Sequence, residues 1–192
     1  MNTEAKLIKL IEAGDEQAFV SLVRRYKTQV YSVSYSILGS REDADEISQD
    51  VFIKVHDSLH KFNGKSSFST WLYRITVNKC RDALRKRKRK KEISMETDIS
   101  GQEGLKLKDV LESEQKSADE LMRDKELQEI VRTAIGTLPE KYRIAITLKE
   151  IEHLSYAEIA DVMKVTVHNV KVILFRARVK LKERLRFLYE EA

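Results

Sequence analysis

Apolar residues recur at three- and four-residue steps along almost all of this 192-residue chain, and a single proline interrupts them. That period is one face of an α-helix. Leu7, Ile8, Leu10 and Ile11 open a short helix that stops at Gly14-Asp15. Phe19, Leu22, Val23, Tyr26, Val30, Val33 and Ile37 mark a long second helix ending near Gly39. Arg41 to Leu59 reads as a third, with Ala44, Ile47, Val51, Phe52 and Val55 on one side. After a loop from Lys61 to Ser67, a fourth spans Phe68 to Lys88. Its apolar positions are Trp71, Leu72, Ile75, Cys80 and Leu84, a spacing that puts Trp71 in the core rather than at a stacking site. Six glycines and one proline are too few turn signals for a sandwich or barrel, so an all-α fold is expected.

The pattern then breaks. Between Glu92 and Ser117 there are seven acids and three lysines with weak periodicity, which reads as a flexible acidic linker with at most a transient turn around Leu105 to Leu111. Helical spacing resumes at Ala118, and Pro139 suits the first position of a helix running to about Glu152. The expected organisation is two small helical domains, residues 1–91 and 118–192, joined by a linker at 92–117.

Charge is distributed unevenly over this frame. Arg85 to Lys91 is seven consecutive cations. From Thr70 to Lys91 ten Lys/Arg face one acid, Asp82, and from Thr166 to Leu188 seven face Glu183. The chain as a whole is only +5, so the remainder is net −10. Two cationic patches on an acidic protein point to a polyanion, with nucleic acid first, because cations that neutralise phosphates release condensed counterions. The run by itself fits a solvated, partly disordered basic block equally well.

The second patch has a finer pattern. Ser155-Tyr156-Ala157-Glu158 has the spacing of a capping box, which satisfies the free amides of a helix start. The helix it opens would bury Ile159, Ala160, Val162 and Met163. A turn at Lys164-Val165 leads to Thr166, an N-cap for a longer helix whose buried stripe is Val170, Ile173 or Leu174, Ala177, Leu181 and Leu185. His168, Asn169, Lys171 and Val172 then face outward, with Arg176, Arg178 and Lys180 beyond. A short helix, a tight turn and a second helix with a polar start and a basic tail make a helix-turn-helix, whose second helix enters the major groove. Asn pairs with adenine, Lys reaches guanine and the arginines suit phosphates. An ordinary helical hairpin with a solvated cationic face is the competing reading.

Signals for other classes are weak. His56 and His60 stand four apart on one helix, as in a zinc protease motif, but the residue after His56 is Asp57 and no third ligand is evident. His153 and His168 are lone residues, and no phosphate loop, nucleophile elbow or Cys-His pair suggests catalysis, so neither enzyme activity nor a metal or cofactor is expected. Cys80 has no cysteine partner. No stretch approaches the ~20 apolar residues of a membrane span. Lysines among the N-terminal apolar residues mark a helix and not a secretory signal, so a cytoplasmic protein is expected.

Three C-terminal stretches, Leu138-Pro139-Glu140-Lys141-Tyr142-Arg143, Leu154 to Ala160 and Arg176 to Leu181, resemble the fourth-region domain of extracytoplasmic-function (ECF, group 4) sigma factors of the bacterial sigma-70 family. Asp43 to Phe52 resembles the region-2 helix that docks on the β′ clamp helices of RNA polymerase, and Phe68 to Asn78 the helix that carries −10 recognition. The likeness covers nearly everything but the linker. It implies that the chain binds core RNA polymerase, at the clamp helices and the β flap, and directs promoter-specific initiation. On this resemblance Asp43, Asp45, Glu46, Gln49 and Asp50 offer acceptors to an arginine-rich partner, with Phe52 as an apolar anchor. Phe62, Asn63, Lys65, Ser66 and Ser67 would accept a base extruded from the −10 element. Arg74 and Asn78 would bind the −10 DNA, and Lys79, Arg81 and the basic run would hold the backbone. Ser155, Thr166, His168, Asn169, Lys171, Val172, Arg176 and Arg178 would meet the −35 element. The linker resembles the segment that threads the RNA-exit path, where its charge would mimic the transcript. The family also implies an anti-sigma partner, often membrane-anchored, and no membrane insertion of this chain itself.

Two departures stand out. Family members often carry Gly-Thr-Val-Lys-Ser-Arg at the start of the recognition helix, whereas this chain has His168-Asn169-Val170-Lys171-Val172-Ile173. Where the turn usually has a glycine, this chain has Lys164. An unusual −35 element, or one lost phosphate contact, is expected. A stand-alone transcriptional regulator would share the C-terminal motif but leave the Asp43–Phe52 and Phe68–Asn78 segments unexplained. A purely electrostatic RNA or chromatin binder would show no promoter preference.

Overall fold

The computed structural model describes residues 3–95 and 120–186. Residues 96–117 of the expected linker, with the turn proposed around Leu105 to Leu111, lie outside the described residues, as do 118, 119 and the last six. Among the described residues eight α-helices follow in order: α1 Thr3–Glu12, α2 Glu16–Leu38, α3 Arg41–Ser58, α4 Phe68–Met95, α5 Glu120–Gly136, α6 Glu140–Ile146, α7 Tyr156–Met163 and α8 Val167–Arg184. A 3-10 turn, Leu59–Lys61, follows α3, and a π-helical turn, Thr147–Ile151, extends α6.

Local chemistry sets these boundaries. The Asp15 carboxylate accepts from the Ala18 N–H at the start of α2, and Gly39 ends that helix in the left-handed region at φ 71°. Ser40 caps α3 by accepting from the Asp43 N–H, and the Ser67 hydroxyl does the same for the Thr70 N–H in α4. Pro139 stands at the N-cap of α6, one residue before its expected place, since its fixed φ suits both positions. The Ser155–Glu158 capping box forms in full: Ser155 Oγ accepts from the Glu158 N–H, and Glu158 Oε2 accepts from the Ser155 N–H at 2.8 Å.

Helices α1–α4 surround Leu22, Val30, Val33, Ile37, Val51, Val55, Leu72 and Val77, all shielded from solvent. Helices α6–α8 enclose Ile144, Ile146, Leu148, Ile159 and Leu174. Each such side chain contributes about 1.5–3 kcal/mol by leaving water. The two halves do not stand apart: their apolar residues form one contiguous cluster. Of the alternatives at 173 and 174, Leu174 is the buried one, and Ile173 only packs partly against the core.

One expectation is corrected. Helix α4 does not stop at Lys88 but continues to Met95, so the basic run is helical and not a disordered block. Its repulsion is relieved by carboxylates: Arg87 Nη1 lies 3.9 Å from Asp43, and Lys88 Nζ 3.6 Å from Glu92. Trp71 packs against the core, half-buried, in a ring cluster with Phe62 and Phe68, its ring centre 5.5 and 5.7 Å from theirs.

Candidate nucleic-acid interface

Helix α3 sends Asp45, Glu46 and Gln49 to solvent, while Asp43, Asp50 and Phe52 are half-buried toward their neighbours. Asp50 accepts from Lys79 Nζ on α4 at 2.9 Å, so a residue expected to meet polymerase and one expected to meet DNA hold each other. A groove of about 570 Å³ opens between these helices, with Asp43, Glu46 and Asp50 along one wall and Lys79, Lys86, Arg87 and Lys90 along the other.

The loop before α4 is anchored by Phe62, whose ring meets Phe68 edge-on at 5.7 Å. This leaves Asn63, Gly64 and Lys65 as the exposed tip, with Ser66 half-buried. The Asn63 side chain accepts from the Lys65 N–H at 3.1 Å, and Gly64 takes φ 69°, which a side chain disfavours. Ser67 is exposed, but its hydroxyl is committed to the helix cap. Along α4, Asn78 is exposed, whereas Arg74 hydrogen-bonds Asp161 on α7 and Arg81 meets Glu140 on α6 at 3.1 Å.

Those contacts belong to a seam that sequence reasoning missed. The Thr70 hydroxyl donates to Glu158 at 3.3 Å, and the Tyr73 hydroxyl donates to Glu152 at 2.5 Å. Arg143 donates to the Ile37 carbonyl oxygen, and Tyr35 donates to Glu129 at 3.2 Å. Acids of the second half therefore occupy the face of α4 assigned to −10 DNA. Burial holds the Glu152 carboxyl above its ordinary range, against the opposing pull of the Tyr73 hydrogen bond. Burial, reinforced by Glu152, raises the Tyr73 phenol. The backbone N–H of Ser155, followed by its hydroxyl, lowers the Glu158 carboxyl.

Helices α7 and α8 form the expected helix-turn-helix. Lys164 closes α7 at φ 60°, ψ 47°, the left-handed geometry that a glycine adopts without strain. Thr166 accepts from the Asn169 N–H at 3.2 Å to start α8. His168, Asn169 and Lys171 are exposed and Val172 is half-buried beside them. Arg176 is exposed, and Arg178 donates twice to Glu150, at 3.1 and 2.7 Å. Ser155 and Thr166 spend their side chains on helix caps, so they position α7 and α8. Also missed was Phe175, 69% exposed on α8, which a helical projection would have placed opposite the buried stripe.

Among the described residues no group of three or more His, Cys, Asp and Glu side chains could hold a metal ion, and His56 instead packs edge-on against Phe19. No described helix is long and apolar enough to cross a membrane.

A helical bundle carrying a basic helix, packed against a helix-turn-helix, defines a two-part DNA-binding protein. Residues 22–90 match the family model of Sigma-70 region 2, and residues 128–181 that of Sigma-70, region 4. The chain is 34% identical to the ECF RNA polymerase sigma factor SigW of Bacillus subtilis (strain 168), over 95% of this chain and 97% of that protein. It is 38% identical to the ECF RNA polymerase sigma-E factor of Escherichia coli (strain K12), over 92% and 91%. Among solved structures, the sigma factor RpoE in complex with the anti-sigma factor NepR from Bartonella quintana has a similar fold, with TM-score 0.66 and 21% identity over 88% of this chain and 96% of that one. The chain belongs to the ECF sigma factors of the sigma-70 family.

Proposed function

We propose that this chain binds core RNA polymerase, directs it to promoters through −10 and −35 elements, and helps open the duplex. The observation that carries this reading is the order of two matches on one chain, region 2 at 22–90 and region 4 at 128–181, the second containing a capped helix-turn-helix. Residues 1–91 act as the region-2 domain, 92–117 as the linker and 118–192 as the region-4 domain. The exposed acids Asp45 and Glu46, with Asp43, Gln49, Asp50 and Phe52, form the face for the β′ clamp helices. The 63–66 loop tip, with Phe62 and Ser67 at its ends, receives the extruded −10 base. Arg74, Asn78, Lys79 and Arg81 hold the adjacent backbone. His168, Asn169, Lys171, Val172, Arg176 and Arg178 meet the −35 duplex, positioned by Ser155 and Thr166, and region 4 also meets the β flap.

The chain works without catalysis of its own, in the bacterial cytoplasm, as a group 4 member. RpoE of Bartonella quintana is in complex with an anti-sigma factor, which supports such a partner here. Binding the −10 element exchanges the carboxylates of Asp161 and Glu140 for DNA phosphates at Arg74 and Arg81, so the two halves must separate to initiate.

Run-off transcription on genomic fragments with purified core polymerase tests the reading. Discrete start sites that depend on this chain are expected. Core binding without initiation would leave promoter reading unsupported, and neither binding nor transcripts would favour a stand-alone DNA binder.

A further inference from the structure

Helix α8 buries Val170, Leu174 and Ala177, with Leu181 packed partly against the same core. At 3.6 residues per turn, the row opposite those residues is His168, Val172, Phe175 and Val179. The N-terminal part of that row is where a recognition helix meets base edges, yet after His168 the row is apolar. Phe175 is 69% and Val179 44% exposed, and Val172 is half-buried between its neighbours.

The surroundings of this row indicate what covers it. The strip is one residue wide. Lys171 and Lys182 lie along one side of it, Arg176 and Lys180 along the other, all exposed, and Glu183 is the one acid of α8. A protein-binding face concentrates apolar area and excludes lysine from its centre. An apolar ridge between two cationic rails instead matches a major groove, with phosphates on both sides and base edges between them. From Val172 to Val179 the ridge runs about 10 Å, or about three base-pair steps. The apolar group that a base pair offers in that groove is the C5-methyl of thymine.

We propose that Val172, Phe175 and Val179 read thymine methyl groups in the −35 element, so that this recognition helix discriminates partly by apolar contact and not only by hydrogen bonds from Asn169 and Lys171. The inference rests on the sigma-factor reading above. It also gives a role to the departure at Val172, where the family often has a polar residue: that position adds a methyl contact in place of a hydrogen bond.

The test uses the full chain with core polymerase and promoter duplexes in which deoxyuridine replaces thymine within the −35 element. That change removes the methyl and leaves every hydrogen-bonding group in place. Holoenzyme affinity is expected to fall about fourfold for each contacted methyl removed. Phe175→Ala, at an exposed position where folding is not at stake, should erase much of the thymine–uracil difference while core binding stays unchanged; Val172→Ser should reduce it. Equal binding of the two duplexes, a −35 element without thymine under the ridge, or a Phe175→Ala variant that loses core affinity but keeps the discrimination would each overturn the proposal. Promoter-specific binding indifferent to the methyl overturns this inference alone, whereas absence of promoter-specific binding on either duplex overturns the sigma-factor reading with it.

Discussion

Arg74 on α4 and Asp161 on α7, 87 positions apart in the chain, hydrogen-bond across the seam between the two halves. Both are partly exposed, at 26% and 37% of their side chains, so the pair contributes a modest share of the seam's stability. Asp161→Ala should loosen the seam and release Arg74 for DNA. A double-mutant cycle with Arg74→Ala should give a coupling of about 1 kcal/mol. Emission of Trp71, the chain's one tryptophan and three residues from Arg74, reports the change. Zero coupling would mean that the seam does not depend on this contact.

Alkaline stability follows from three groups. Burial raises the Cys80 thiol from 9.0 to about 12, and burial raises the Tyr26 and Tyr73 phenols above their ordinary 10.0. The unfolded chain releases these protons first, so the stability they confer is complete below about pH 9 and is lost as pH rises toward the folded values. Melting temperature should therefore fall from about pH 9 upward. Cys80→Ala should soften the start of that decline, at some cost from the small cavity it leaves. Native Cys80 should also resist thiol reagents until the chain unfolds, and rapid labelling at pH 8 would contradict its burial.

The capping box has an acid signature. Glu158 is held below its ordinary 4.5 mainly by the Ser155 N–H, so the stability it confers is present above that value and is lost as pH falls through the lowered one. Ser155→Ala should cost about 1 kcal/mol at neutral pH but leave most of the acid limb, because the backbone N–H at 155 remains; Glu158→Gln, which removes the titrating carboxyl, should flatten it. An acid limb unaltered in Glu158→Gln would mean that another group sets it.

Lys164 carries a side chain where the backbone is left-handed, and its ion pair with Asp161, at 3.3 Å, is exposed. Lys164→Gly should stabilise the chain by about 0.5–1 kcal/mol, because relief of the backbone outweighs a surface ion pair. A thermal melt decides it, and destabilisation would reverse that ranking.

Asn169→Ala and Lys171→Ala should each weaken −35 recognition by about 1–3 kcal/mol while leaving core-polymerase affinity unchanged. Equal loss of core binding would count against the division of labour between the two halves.

What was legible in the sequence was local. Ser155 and Thr166 cap helices because a hydroxyl beside a free amide needs no knowledge of the rest of the chain. The buried stripe of α8 was likewise readable from its period. The seam was not, because Tyr73–Glu152 and Arg81–Glu140 are single polar contacts 79 and 59 positions apart, with no periodicity to announce them. The state of Arg85–Lys91 was ambiguous because like charges argue against a helix. What settles it is tertiary: α4 packs against α2 and α3, with Asp50 and Asp43 of α3 meeting Lys79 and Arg87, and propagating an existing helix costs far less than starting one.

Helix α4 has 28 residues, so it is a rod of about 42 Å with the exposed cations Arg85 to Lys90 toward its C-terminal end. Consecutive cations wind around the helix by about one and a half turns, so the charges form a sleeve around the rod instead of a stripe along it. A stripe must be approached from one direction, whereas a sleeve attracts an anionic polymer arriving from any side. Such a device acts on capture: ionic strength should govern how fast the chain finds DNA, while residence time is set by the directional contacts elsewhere.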